Sequence, residues 1–212
     1  MKYFLYLMGP TFMILLGLQV LGNVIITFLL FYGWLLAVPL LKKEVDSIGL
    51  TRKNSQKSIG FGLSSGFLFF LFIFGGLIWL HQYFIDLEHL QALLEQWGFS
   101  GKGIIGLTFV LLVINPILEE VYWRGFMHQK LKTEMKTIHA IWITSFFYTL
   151  YHFLSVIPMF QWPLNVMAVL PVFAAGILWG YLREKTGSIY GTIISHMLGD
   201  LGILCVYWFI VR

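Results

Sequence analysis

An all-α fold, a polytopic bundle of about seven transmembrane helices with its N-terminus in the cytoplasm, is what this sequence predicts. Three observations carry the prediction. Of the 212 residues, 58% are hydrophobic and only 11% are charged, too little polar surface for a water-soluble domain. Apolar runs recur at about the ~20 residues that one bilayer crossing requires. Lysine and arginine gather in alternate connecting segments, the pattern that sets orientation in a membrane.

The helices are expected at roughly 3–20, 23–41, 58–80, 103–131, 138–154, 164–183 and 189–211. The first, in MKYFLYLMGPTFMILLGLQV, is followed by no small-residue cleavage site and reads as a retained span rather than a signal peptide. The third carries Gly62 and Gly66, and the sixth Gly176 and Gly180. Glycines four apart let a neighbouring helix backbone come close, here within one chain rather than at a dimer interface. The fourth helix is too long for one crossing, so it extends past the hydrocarbon core or tilts. The chain reads as a single transmembrane domain over 1–212. Residues 1–100 hold three helices without a readable motif, and 103–205 form the core that carries the chemistry. No long-period repeat is visible.

The basic residues fall as follows. Segment 42–57 holds Lys42, Lys43, Arg52, Lys53 and Lys57; segment 124–137 holds Arg124, Lys130, Lys132 and Lys136; segment 183–188 holds Arg183 and Lys185. Between them, 81–102 has only Lys102 and 155–163 has none. The N-terminus is therefore assigned to the cytoplasm and the C-terminus to the far side. Topology accounts for the net charge of +4, so no nucleic-acid partner is implied. Cys205, the single cysteine, has no partner for an internal disulfide and reads as an inert packing residue.

Ionisable groups inside such helices need individual explanation, because a charged Asp, Lys or Arg at the membrane centre costs ~2.5–3.5 kcal/mol on insertion scales. Glu119, Glu120 and Arg124 close the long fourth helix. Adjacent helical positions point ~100° apart, so the two glutamates face different ways. Glu120 and Arg124 are four apart and can pair, which leaves Glu119 for another task. His152 ends the fifth helix with Tyr148 one turn before it. His196 and Asp200 share a face of the seventh. Each set alone has a plain structural explanation: an interfacial ion pair, a histidine at a helix end, a hydrogen bond that packs a helix. Three helices bearing such groups together point to a polar cavity that activates water, with other polar groups stabilising an oxyanion. The same residue types suit zinc, and the residues alone leave direct and metal-assisted activation open.

In order and spacing these groups resemble the CAAX protease and bacteriocin-processing (CPBP, or Abi) family of intramembrane proteases, relatives of the Ras-converting endopeptidase. The first family motif, EExxxR, stands here as Glu119-Glu120-Val121-Tyr122-Trp123-Arg124, preceded by Pro116 and followed by Gly125. The second, FxxxH, is matched by His152 with Tyr148 at the Phe position. The third, a histidine followed four residues later by Asn or Asp, is His196 and Asp200. The stretch GILWGYLREKTGSIYGTIISHMLGD also has the family's look. The resemblance spans roughly 103–205 and implies an all-helical membrane endopeptidase. Glu119 with His152 would activate the attacking water, His196 and Asp200 would hold the oxyanion, and Glu120 and Arg124 would position the site or the peptide. It implies no cofactor, with a metal-free glutamate mechanism preferred and zinc left open. The partners implied are a peptide or membrane-protein substrate and the lipid bilayer; the oligomeric state is not readable. A bacterial cell membrane is the expected location. A non-catalytic bacteriocin-immunity or scaffold protein is the alternative. A proton-coupled transporter is a third reading, disfavoured by the lack of a visible inverted repeat.

Overall fold

The computed structural model describes residues 2–42, 48–50 and 54–212. Every regular element among them is helical. We label these helices α1 (Phe4–Val20), α2 (Val24–Leu41), α3 (Ser55–Phe84), α4 (Leu87–Gln96), α5 (Gly103–Lys132), α6 (Thr137–Val156), α7 (Leu164–Thr186) and α8 (Tyr190–Val211). Five of them, α2, α3, α5, α7 and α8, are long and apolar enough to cross a membrane. α1 is a shorter apolar helix. Large apolar side chains such as Ile25, Leu29, Phe72, Trp79, Ile105 and Phe209 lie on the outside of the bundle, the surface that lipid rather than water would cover.

α4 is the element that the sequence reading missed. Its signals are local: the Asp86 carboxylate accepts from His89 N at 3.0 Å and caps the first turn. Leu90 and Leu94, one turn apart, are buried against Val206 and Val211 of α8. At ten residues it is far too short to stand out among membrane-length runs.

The two ends of the bundle differ in charge. Lys2 Nζ bonds Glu134 at 2.9 Å, Lys42 lies over the Tyr6 ring, and Lys130 lies over Tyr3. Lys132 bonds Glu184 at 2.7 Å and Lys185 covers Phe61. The basic segments, distant in sequence, thus gather at one end. Lys43, Arg52 and Lys53 lie outside the described residues. At the other end Gln91 bonds the Val211 carbonyl, Tyr207 donates to Phe99 O at 3.3 Å, and His89 meets Pro158 O at 2.8 Å. The N-terminus belongs to the basic end and the C-terminus to the opposite one. If the basic end is cytoplasmic, a single cysteine at the exposed position Gln56 is expected to react with an impermeant thiol reagent only from the cytoplasm. One at the exposed position Glu88 should react only from outside, both in a Cys205→Ser background. Labelling of both from one side would refute this orientation of α3.

The glycine pairs sit where helices touch. A Cβ at Gly62 would strike Gly191 O of α8, and one at Gly66 would stand 2.8 Å from Ser195 Cα. α3 and α8 can approach this closely only with hydrogen at those positions. Ser58 Oγ seals the same contact by accepting from Gly191 N at 3.0 Å. Gly176 and Gly180 play the matching part between α7 and α6, facing Ser145 and Ile141. Both contacts fix helices that carry site residues.

Candidate active site

The central helix of the site is α5. Two π-helical stretches, Val110–Ile114 and Val121–Met127, flank a short α segment, Asn115–Glu120. Such wider turns commonly mark functional sites, because they re-aim side chains without breaking the helix. Glu119 and Glu120 are both fully buried, at 1% and 0% exposure. Glu119 lies roughly four turns before the end of α5, and His152 roughly four turns after the start of the antiparallel α6. The two therefore reach a common depth, because α5 runs on to Lys132 at the basic end.

Glu120 joins two of the predicted groups. Its Oε1 accepts from Arg124 Nη1 at 2.8 Å and faces His196 Nδ1 at 3.3 Å. Arg124 also donates to Gly176 O at 3.2 Å. Its guanidinium lies 4.5 Å from the Tyr148 ring centre and 5.0 Å from that of Trp179. Tyr148 thus supplies an aromatic face to the arginine, a face that phenylalanine would also offer. Arg124 is 2% exposed and fully occupied, which suits positioning of the site rather than direct contact with a peptide.

His196 is the hub. With Nδ1 toward Glu120, its Nε2 lies 3.7 Å from Glu119 Oε2, 3.5 Å from Asp200 Oδ2 and 3.4 Å from Asn115 Nδ2. The ring stacks on Trp179 at 4.5 Å between centres. Trp179 is anchored in turn, donating from Nε1 to Ser195 Oγ at 2.9 Å, and Ser65 of α3 donates to the same Oγ at 3.0 Å. Glu119 Oε2 has no hydrogen-bond partner, although the Tyr151 hydroxyl faces the same carboxylate. A buried carboxylate oxygen without a hydrogen-bond donor is costly.

His152 is half-buried. Its Nδ1 meets the Tyr148 carbonyl at 2.9 Å, so Nδ1 carries the proton and Nε2 is left with a lone pair. Its ring packs on Tyr148 and Tyr151, 4.6 and 4.5 Å between centres. Among the described residues, no hydrogen bond or ion pair joins His152 to Glu119. Both groups border Tyr151.

The structure thus brings Glu119, Glu120, Arg124, His196 and Asp200 into one connected cluster and sets His152 at its edge. It adds residues that sequence reasoning missed: Asn115, Trp179, Tyr151 and Tyr32, whose hydroxyl donates to Asn115 Oδ1 at 3.1 Å. One signal for Asn115 was present, namely an amide one helical turn before Glu119 at the end of an apolar run. Among the described residues, no three His, Cys, Asp or Glu side chains are grouped so as to hold a metal ion. Two surface pockets of about 270 and 260 Å³ lie at the opposite, poorly basic end, lined by residues such as Asp86, His89 and Gln91, away from this cluster.

Residues 101–202, just under half of the chain, match the family model described as type II CAAX prenyl endopeptidase Rce1-like. No curated protein and no solved structure matches the chain.

Proposed function

We propose, from the match of residues 101–202 to the Rce1-like CAAX endopeptidase family model, that this multi-pass membrane protein hydrolyses a peptide bond by a metal-free, glutamate-based mechanism. The substrate proposed is a peptide or membrane-associated protein at a bacterial cell membrane. The observation that carries the reading is Glu119 Oε2, buried without a hydrogen-bond partner beside His196 Nε2.

In this mechanism a water lies between Glu119 and the lone pair of His152 Nε2. Glu119 takes one proton as the water oxygen bonds to the peptide carbonyl carbon. The carbonyl π electrons move onto its oxygen, and the resulting oxyanion lies toward the His196–Asp200 side. When the tetrahedral intermediate collapses, the C–N bond breaks and the leaving nitrogen takes the proton from Glu119. Water and peptide become a carboxyl and an amine, with the glutamate restored. Glu120 and Arg124 act at one remove by fixing the His196 ring. Burial raises the strength of each electrostatic contact, because little water competes inside the bundle.

The test is cleavage by the purified full chain in liposomes. Two sets of fluorescence-quenched peptides serve as probes, one farnesylated on a cysteine near the C-terminus and one unmodified and apolar. Cleavage of either set at a single bond, read by mass spectrometry, is the expected result. Folded protein that cleaves neither set would favour a non-catalytic immunity or scaffold role.

A further inference from the structure

We propose that Asn115 is a further catalytic residue, whose side-chain amide donates a hydrogen bond to the oxyanion that forms during peptide hydrolysis. The proposal rests on the hydrolytic reading above and adds a residue to it. Asn115 is 93% buried, with 7% exposure. Its amide is held in one orientation: Oδ1 accepts from Tyr32 at 3.1 Å, which turns Nδ2 toward Asp200 Oδ2 at 3.3 Å and His196 Nε2 at 3.4 Å.

The chemistry of the neighbours gives this orientation its meaning. An ionised Asp200 has no proton to donate. A neutral His196 whose Nδ1–H faces Glu120 presents a lone pair at Nε2, and donates there only when it carries a second proton. The Asn115 amide carries two N–H bonds in every protonation state of the site. Nδ2 and His196 Nε2 lie 3.4 Å apart, so an oxyanion bound by the amide would gain a second donor from the imidazole when Nε2 is protonated. Asn115 also lies one helical turn from Glu119 on the same face. One helix thereby supplies the proton acceptor and the oxyanion donor to the two sides of a carbonyl. The Asn115–Asp200 contact holds the amide in place before substrate arrives.

The experiment measures kcat and KM of the full chain in liposomes, with whichever of the two peptide sets the parent cleaves. Asn115→Ala is expected to lower kcat by about 10²–10³-fold with KM little changed, the usual loss for one oxyanion donor. Adding Asp200→Asn to that variant returns an amide to the pocket and is expected to raise kcat at least about tenfold. A merely structural role for Asn115 would give no rescue beyond the effect that Asp200→Asn has alone in the parent. Asn115→Asp keeps the shape and loses the donor, so it serves as the second variant if Asn115→Ala unfolds; its thermal midpoint is compared with that of the parent. A kcat for Asn115→Ala within about threefold of the parent overturns the proposal. So does a loss that Asp200→Asn leaves unrelieved. If the parent cleaves and Glu119→Gln is dead while Asn115→Ala is unaffected, only the oxyanion assignment falls. If the parent cleaves nothing, the hydrolytic reading falls and this inference with it.

Discussion

Glu119→Gln is expected to lower peptide turnover by about 10²–10⁴-fold, the contribution of a positioned general base. The substitution keeps the shape of the side chain and exchanges a carboxylate oxygen for an amide that cannot accept the water's proton. Folding should survive, because Glu119 Oε2 makes no hydrogen bond that the amide would break. A thermal midpoint close to that of the parent, alongside lost turnover, is the predicted pair of results. Near-normal turnover in clean protein would remove Glu119 from the mechanism and with it the reading of the site.

Arg124→Met should act in the opposite way, on stability first. Glu120 is fully buried, and Arg124 is its charged partner at 2.8 Å. Removing one member of a buried pair leaves an uncompensated charge, at a cost of about 3–5 kcal/mol. The variant is expected to unfold at a clearly lower temperature in detergent. Adding Glu120→Gln should recover much of that loss, since no orphaned carboxylate then remains. Arg124→Lys should not rescue fully, because an ammonium lacks the planar face that rests between Tyr148 and Trp179. An unchanged unfolding midpoint in Arg124→Met would refute the buried-pair account.

Much of the site could be read from the sequence because ionisable residues are rare in apolar helices. Glu119, Glu120, Arg124, His152, His196 and Asp200 are ionisable groups in or at the ends of apolar helices, and their spacing places partners on shared faces and matches the family's motifs. Asn115 is uncharged and precedes Pro116, a pair that reads equally well as ordinary helix geometry. Its role depends on Asp200 and Tyr32, both more than 80 residues away, and no local pattern encodes such a meeting. Trp179 was hidden for a different reason: among eight tryptophans, nothing in sequence marks the one that stacks on His196. For the fold, apolar runs located seven helices to within a few residues. α4 escaped because it buries only two leucines against the bundle. The gathering of the basic segments at one end follows from their alternation along the chain. The approach of α3 to α8 through Gly62 and Gly191 does not, since a glycine gives no hint of its partner.

That last contact bears on how such a protein can change over time. α8, which carries His196 and Asp200, is held at close range by α3, and Asn115 is aimed by Tyr32 of α2. Both supporting helices lie outside residues 101–202. A fragment limited to those residues would keep every ionisable group of the cluster and lose what aims several of them. A larger side chain at position 62 would meet Gly191 and call for a shift of α8, the helix that carries His196. Joining residues 101–202 to a different N-terminal half would disturb the site through this contact, so the unit that shapes the site is the whole bundle rather than the half that bears the motifs.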